Sequence, residues 1–158
     1  MRIAMASDHA GFELRRQLRP YVEGLGHEVV DLGTGSVASV DYPVFGARVG
    51  RAVASGDCQR GIVICGTGVG IGIAATKISG IRAAACTETY SARLSRQHND
   101  ANVLALGARA TALGLAQDIV ATWLATAFEG GRHQRRVDQL AALDRGEDIE
   151  AQSVNSAL

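Results

Sequence analysis

The sequence predicts an α/β fold, with a single domain built on a doubly wound, five-stranded parallel sheet. Short apolar runs alternate with longer amphipathic ones along the chain. The short runs are almost continuously apolar, as strands buried on both faces are. The chain has 158 residues, 47% of them hydrophobic, which suits one compact domain with a substantial core.

Strands are expected at Arg2–Ala6, Glu28–Leu32, Gly61–Cys65, Ile81–Cys86 and Val103–Gly107. These runs are too short for helices, and most are rich in Val or Ile. Between them, Leu14, Leu18, Tyr21, Val22 and Leu25 recur at helical spacing, and Gly26 closes that helix. Pro43 suits the first turn of a helix running to about Ser55. Gly70–Ile78, Glu88–Gln97 and Thr111–Phe128 read as further helices. A C-terminal helix extension follows Glu129-Gly130-Gly131, from about Arg132 to Arg145. The expected strand order is Rossmann/flavodoxin-like, 2-1-3-4-5. The domain is placed at residues 1–145, and the polar stretch 146–158 is expected to be a flexible C-terminal tail.

Sixteen basic and sixteen acidic side chains cancel, which argues against nucleic acid or a membrane surface as partner. No stretch approaches the roughly 20 apolar residues of a membrane span. The N-terminal segment reaches Asp8 too early for a signal peptide, so the cytoplasm is the expected compartment. Three cysteines without CxxC or CxxH spacing argue against a disulfide framework or a zinc site. Cys86, inside an apolar run, is expected to be buried. Cys58, in the polar stretch from Ser55 to Arg60, is expected at the surface.

Open parallel sheets bind ligands beyond the carboxyl ends of their strands, where the strand order reverses. Here that point lies between strands one and three. Strand one runs into Ser7-Asp8-His9-Ala10-Gly11, and strand three into Cys65-Gly66-Thr67-Gly68-Val69-Gly70. The two segments should therefore face each other. A dense glycine run before a helix aims free N–H groups at one spot, a site for a phosphate or a developing oxyanion. The plainer reading is a structural turn. A dinucleotide site is a rival, but GxGxxG is absent; the nearest match, Gly70-x-Gly72-x-x-Ala75, starts inside the expected helix, with Glu88 about 20 residues on.

Cys65 ends its strand just before this loop. A thiol beside a helix N-terminus is readily deprotonated and can serve as nucleophile, redox group or base, or it can be a buried spectator. Ser7 or Asp8 could cap the first helix, which would leave its neighbours unexplained. His98-Asn99-Asp100-Ala101-Asn102 reads as the turn closing the fourth helix. Arg132 and Arg136, four residues apart, share a helical face that either grips a phosphate or is merely solvated.

Together these segments resemble the ribose-5-phosphate isomerase B family, which also holds related sugar-phosphate isomerases such as galactose-6-phosphate isomerase subunits. The matching stretches are Ser7-Asp8-His9-Ala10-Gly11, Asp41-Tyr42-Pro43, Ile64-Cys65-Gly66-Thr67-Gly68-Val69-Gly70-Ile71, Gly80-Ile81-Arg82-Ala83, Tyr90-Ser91-Ala92, Arg96-Gln97-His98-Asn99-Asp100, Asn102-Val103-Leu104 and Glu129-Gly130-Gly131-Arg132-His133-Gln134. They run in order from Met1 to about Leu143.

The resemblance implies interconversion of ribose 5-phosphate and ribulose 5-phosphate, with no metal or organic cofactor. By position, Cys65 is the base that moves a proton between C1 and C2. One branch of the family uses a carboxylate where this chain has Ile71, which cannot take a proton. Thr67 is the hydroxyl near O1 and O2, and the amides of Gly66, Gly68, Val69 and Gly70 hold the enediolate oxygen. Asp8 and His98 open the sugar ring. His9, Arg132 and Arg136 are phosphate ligands, and Tyr42, Asn99 and Arg109 are peripheral site residues. Thr76 departs from the Asn of many members, a change expected to touch only the support of the glycine loop. Tetrose or hexose phosphates are alternative substrates. A non-catalytic nucleotide or sugar-phosphate module would need the glycines and arginines but not Cys65, Thr67 or His98.

The expected topology also separates these groups. His98 ends a helix that runs back to the amino edge of the sheet, while Cys65 lies at the opposite edge, about 15 Å away at about 3.3 Å per residue. A homodimer, alone or as a dimer of dimers, would bring His98 of one chain to Cys65 of the other.

Overall fold

A computed structural model describes residues 1–150 of the chain. The elements run β1 (Arg2–Ser7), α1 (Phe12–Gly24), β2 (Glu28–Asp31), α2 (Tyr42–Ala54), β3 (Arg60–Cys65), α3 (Val69–Thr76), β4 (Ala83–Ala85), α4 (Thr89–Asn99), β5 (Val103–Gly107), α5 (Leu113–Ala125) and α6 (Arg132–Asp144). Pro43 falls in the first turn of α2, where its missing N–H costs nothing. The Glu88 carboxylate caps α4 by accepting the amides of Tyr90 and Ser91 (the latter at 2.8 Å). Glu88 therefore serves its own helix, against the dinucleotide reading.

All strand pairs are parallel, as expected. The order is β2-β1-β3-β5-β4, which exchanges the last two strands of the expected 2-1-3-4-5. Burial explains the exchange. All five residues of β5 are buried, so it belongs inside the sheet, flanked by β3 and β4. The fourth strand shrinks from Ile81–Cys86 to three alanines, which bury too little to hold an interior position. The reversal between β1 and β3 is unaffected.

Alternate side chains feed two cores. Ile3, Met5, Ile62, Ile64, Leu104 and Leu106 face α1, α4 and α5; Ala4, Ala6, Val63, Cys65 and Ala105 face α2 and α3. Trp123, fully buried in the first core, has the guanidiniums of Arg60 and Arg96 over its ring, 5.3 and 5.7 Å from the centroid. Cys58 is only 2% exposed, contrary to expectation. Its amide donates to Ala52 O at 2.9 Å, which tucks the turn beneath the end of α2 and puts the thiol in the second core. Cys86 is buried as expected. Burial pushes the Cys58 thiol up and the Cys86 thiol up to about 11, so both stay protonated.

The helix expected at Thr111–Phe128 is trimmed to Leu113–Ala125. The start of the expected tail closes α6, with Gly146 N donating to Leu143 O and Glu147 N to Ala142 O; residues 151–158 of that tail lie outside the described residues. No helix among the described residues is long and apolar enough to cross a membrane.

Candidate active site

The parallel register aligns the ends of β1 and β3, since Ser7 pairs with Ile64 and Asp8 N donates to Ile64 O at 3.2 Å. The loops after them form an open depression of about 260 Å³, lined by Asp8, His9, Ala10, Tyr42, Cys65, Gly66, Thr67, Gly70 and Arg109. The two segments that the sequence sets facing each other do meet.

Cys65 is 5% exposed and ends β3. The Gly68 amide donates to its Sγ at 3.2 Å. That N–H belongs to the head of α3, which seats the sulfur at the N-terminus of that helix. Gly68 holds φ +80, and a Cβ there would lie 2.9 Å from the Leu106 carbonyl carbon. Only glycine satisfies both the turn and the close approach to β5. Val69 N donates to Thr67 Oγ1 at 3.4 Å. Two of the amides expected to face an oxyanion are thus turned to Sγ and to the threonine hydroxyl. Val69 itself is exposed.

Asp8 is 5% exposed, and its Oδ1 accepts the Gly11 amide at 3.0 Å. The carboxylate thus shapes the turn before α1 and also lines the depression. His9 Nδ1 accepts the Val40 amide at 3.2 Å, so a neutral ring carries its proton on Nε2. The Arg109 amide donates to Gly66 O at 3.0 Å, seating that side chain beside the glycine loop. Tyr42, at the start of α2, closes the far wall: a Cβ on Gly70 would meet its ring at 2.9 Å.

His98, Asn99, Arg132 and Arg136 are not at this depression. His98 closes α4 just before the Asp100–Asn102 turn that leads into β5, at the amino edge of the sheet. The turn is clasped by two arginines, with Asp100 2.8 Å from Arg96 and 3.1 Å from Arg82. Asn99 lines a larger cavity of about 460 Å³ at the same edge, with Thr76, Arg82, Leu140, Leu143 and Asp144. That cavity lacks a base beside an anion cradle, and the chemistry gathers at the smaller depression. Thr76 accepts the Ala83 amide at 3.3 Å, far from the glycine loop that begins α3. Arg132 and Arg136 are exposed near the start of α6.

Two further groups complete this second cluster. The His133 ring stacks on His98, with centroids 4.2 Å apart and planes within 6°. Glu129 Oε2 lies 3.7 Å from His133 Nε2 and 4.0 Å from His98 Nε2. Burial, then the neighbouring His98 and Arg132, hold His133 below the ordinary imidazole range, against the pull of Glu129. The three ligand atoms lie within 4.8 Å of one another, as a metal site would need. However, a zinc bond of about 2.0–2.1 Å lies along each ring's lone pair, and parallel rings send those lone pairs side by side. The cluster is better suited to holding protons than to chelation. Sequence reasoning missed Glu129 and His133 as a unit with His98, because two glycines break the helical spacing between them.

The family model described as Ribose/Galactose Isomerase matches residues 3–140. The ribose-5-phosphate isomerase B of Escherichia coli is 51% identical over 91% of this chain and 97% of its own length. The galactose-6-phosphate isomerase subunit LacB of Clostridium acetobutylicum is 34% identical over 93% of this chain and 87% of its own. The structure of Clostridium thermocellum ribose-5-phosphate isomerase B superposes with a TM-score of 0.91 at 55% identity, covering 92% of this chain and 99% of that one. The match spans both glycine-loop and α6 motifs at high coverage, and the chain belongs to the ribose/galactose isomerase family.

Proposed function

We propose that this isomerase interconverts ribose 5-phosphate and ribulose 5-phosphate by proton transfer through an enediolate, with Cys65 as the base. The observation that carries the reading is the hydrogen bond from the Gly68 amide to Cys65 Sγ, inside the depression that also holds Thr67, Asp8 and His9. A base beside an anion cradle is what aldose–ketose transfer requires.

Asp8 and His98 open the sugar ring. One proton leaves the C1 hydroxyl, the bond from C1 to the ring oxygen breaks, and that oxygen receives a proton. Cys65 then takes the proton from C2, and the Gly66 and Gly70 amides hold the enediolate oxygen. Thr67 passes a proton between O1 and O2, and Cys65 returns its proton to C1. No outside oxidant or reductant is needed. His9, with Nε2 as donor, grips the phosphate together with Arg132 and Arg136; Tyr42, Asn99 and Arg109 border the substrate.

The expected compartment is the cytoplasm, and these roles require a homodimer with each site shared. The separation of the two clusters to opposite edges of the sheet supports this, as does the shallowness of the depression in one chain. A small-molecule site is commonly about 300–1,000 Å³ and enclosed.

An activity screen against four-, five- and six-carbon aldose and ketose phosphates tests the substrate. Turnover of ribose 5-phosphate, lost in Cys65→Ala, is expected. A hexose phosphate is the second reading, favoured by the similarity to the galactose-6-phosphate isomerase subunit, and turnover of hexose phosphates alone would replace the first. Titration with NAD and ATP should give no binding; tight binding with no turnover of any sugar phosphate would make the chain a binding module.

A further inference from the structure

The His98, Glu129 and His133 cluster has more order than a phosphate grip requires. The Glu129 amide donates to Gln97 O at 3.1 Å, which ties its backbone to the end of α4 one residue before His98. Its carboxylate therefore stands beside both imidazoles. The Gly130 and Gly131 turn, with φ of +63 and +55, then reverses the chain so that His133 N donates to Gly130 O and the His133 ring returns beneath His98. The His133 side chain is 7% exposed, whereas the His98 side chain is 35% exposed. One ring is a buried platform and the other is open to a ligand.

We propose that Glu129 is a positioning residue for sugar-ring opening, acting through His98, with His133 as the flat surface on which the His98 ring lies. The proposal rests on the reading of His98 as a ring-opening group. The carboxylate faces Nε2 of His98, which leaves Nδ1 as the nitrogen that exchanges a proton with the sugar. The stack limits the ring to one plane. His133 suits the platform role as a neutral ring: Arg132 Nε donates to its Nε2 at 3.4 Å, and its burial beside Arg132, Arg136 and His98 disfavours a second positive charge. Glu129 is then left to His98.

Ring opening can be read apart from isomerisation. It interconverts the α and β anomers of ribose 5-phosphate, which magnetisation-transfer NMR measures directly. Cys65→Ala removes proton transfer between C1 and C2 but leaves ring opening intact. The Cys65→Ala protein should therefore still speed anomer exchange, and Cys65→Ala with His98→Asn should not. Adding Glu129→Gln to Cys65→Ala should slow exchange roughly 10–100-fold, the scale of a misplaced reacting group. His133→Phe, which keeps a flat ring, should lose less than His133→Ala. Ribose 5-phosphate should still bind the Glu129→Gln protein by calorimetry.

Anomer exchange at the Cys65→Ala rate in the Glu129→Gln double variant would overturn the inference and leave the His98 reading standing. Exchange at that rate with His98→Asn, or none at all in Cys65→Ala, would overturn both. Loss of substrate binding in Glu129→Gln would put Glu129 in the substrate grip and also overturn the positioning role.

Discussion

Replacing Gly68 by alanine is expected to damage stability and catalysis together, and the size of each effect follows from the turn at the head of α3. The position holds φ +80, which costs an L-residue about 1–2 kcal/mol. Its Cβ would sit 2.9 Å from the Leu106 carbonyl carbon and 3.1 Å from Gly107 N. Both are backbone atoms of the interior strand β5, which cannot swing aside, so overpacking adds about 1–3 kcal/mol. The sum is about 2–5 kcal/mol, against a total stability of about 5–15 kcal/mol for a typical domain. Relief to ordinary contact at 3.4 Å needs a shift of about half an ångström, and the loop, not the strand, will make it. That shift pulls the Gly68 amide from Cys65 Sγ. Gly80→Ala is the control, because Gly80 has a similar φ of +82 with nothing within 4 Å. Urea unfolding followed by circular dichroism should give about 1–2 kcal/mol for Gly80→Ala and more for Gly68→Ala, the difference being the clash. The isomerase rate should fall at least about tenfold in Gly68→Ala alone. Equal midpoints for the two variants, with native activity in Gly68→Ala, would refute the reasoning.

Cys65→Ala should lower kcat by about 10²–10⁴-fold while the protein still folds, and iodoacetamide should inactivate the native enzyme unless substrate is present. Near-native turnover by this variant would remove Cys65 as base. Arg132→Ala and Arg136→Ala should each cost roughly 1.5–3 kcal/mol in kcat/KM and weaken inhibition by inorganic phosphate; native kcat/KM in both would make that face merely solvated. Unfolding and refolding inactive Cys65→Ala and His98→Ala chains together should restore about a quarter of native activity, since half the dimers are mixed and each carries one intact site. If the chains demonstrably exchange and the mixture stays dead, the site is not shared. The depressed His133 makes a pH prediction: as pH falls through about 6.5 the unfolded chain binds a proton that the folded chain excludes, so stability should fall as pH drops below about 7. His133→Phe should flatten that slope, and an unchanged slope would mean that His133 binds protons alike in the folded and unfolded chain.

Much of this was legible in the sequence, because the strands needed only continuous apolar runs and the site needed only the ends of two of them. The strand order was less legible. Alternation says which elements exist but not where each lies, and only the contrast between the buried Val103–Gly107 and the three alanines of β4 ranks them. Cys58 misled because its sequence neighbours are polar, while the turn that carries it folds under α2. The pairing of His98 with His133 arises from packing between α4 and α6 across a two-glycine turn, and no periodicity encodes that.

The chain has a single tryptophan, Trp123, fully buried with two guanidiniums over its ring. Its emission is therefore an intrinsic optical reporter, blue-shifted in the fold and red-shifted on unfolding. Trp123 sits in the core that faces α1, α4 and α5, whereas Cys65 belongs to the other. A ligand that only fills the depression beside Cys65 should leave the spectrum nearly silent. A disturbance of α4 should not, because Arg96 carries it from that helix to the indole ring. One fluorophore thus separates events on the two faces of the sheet without any label.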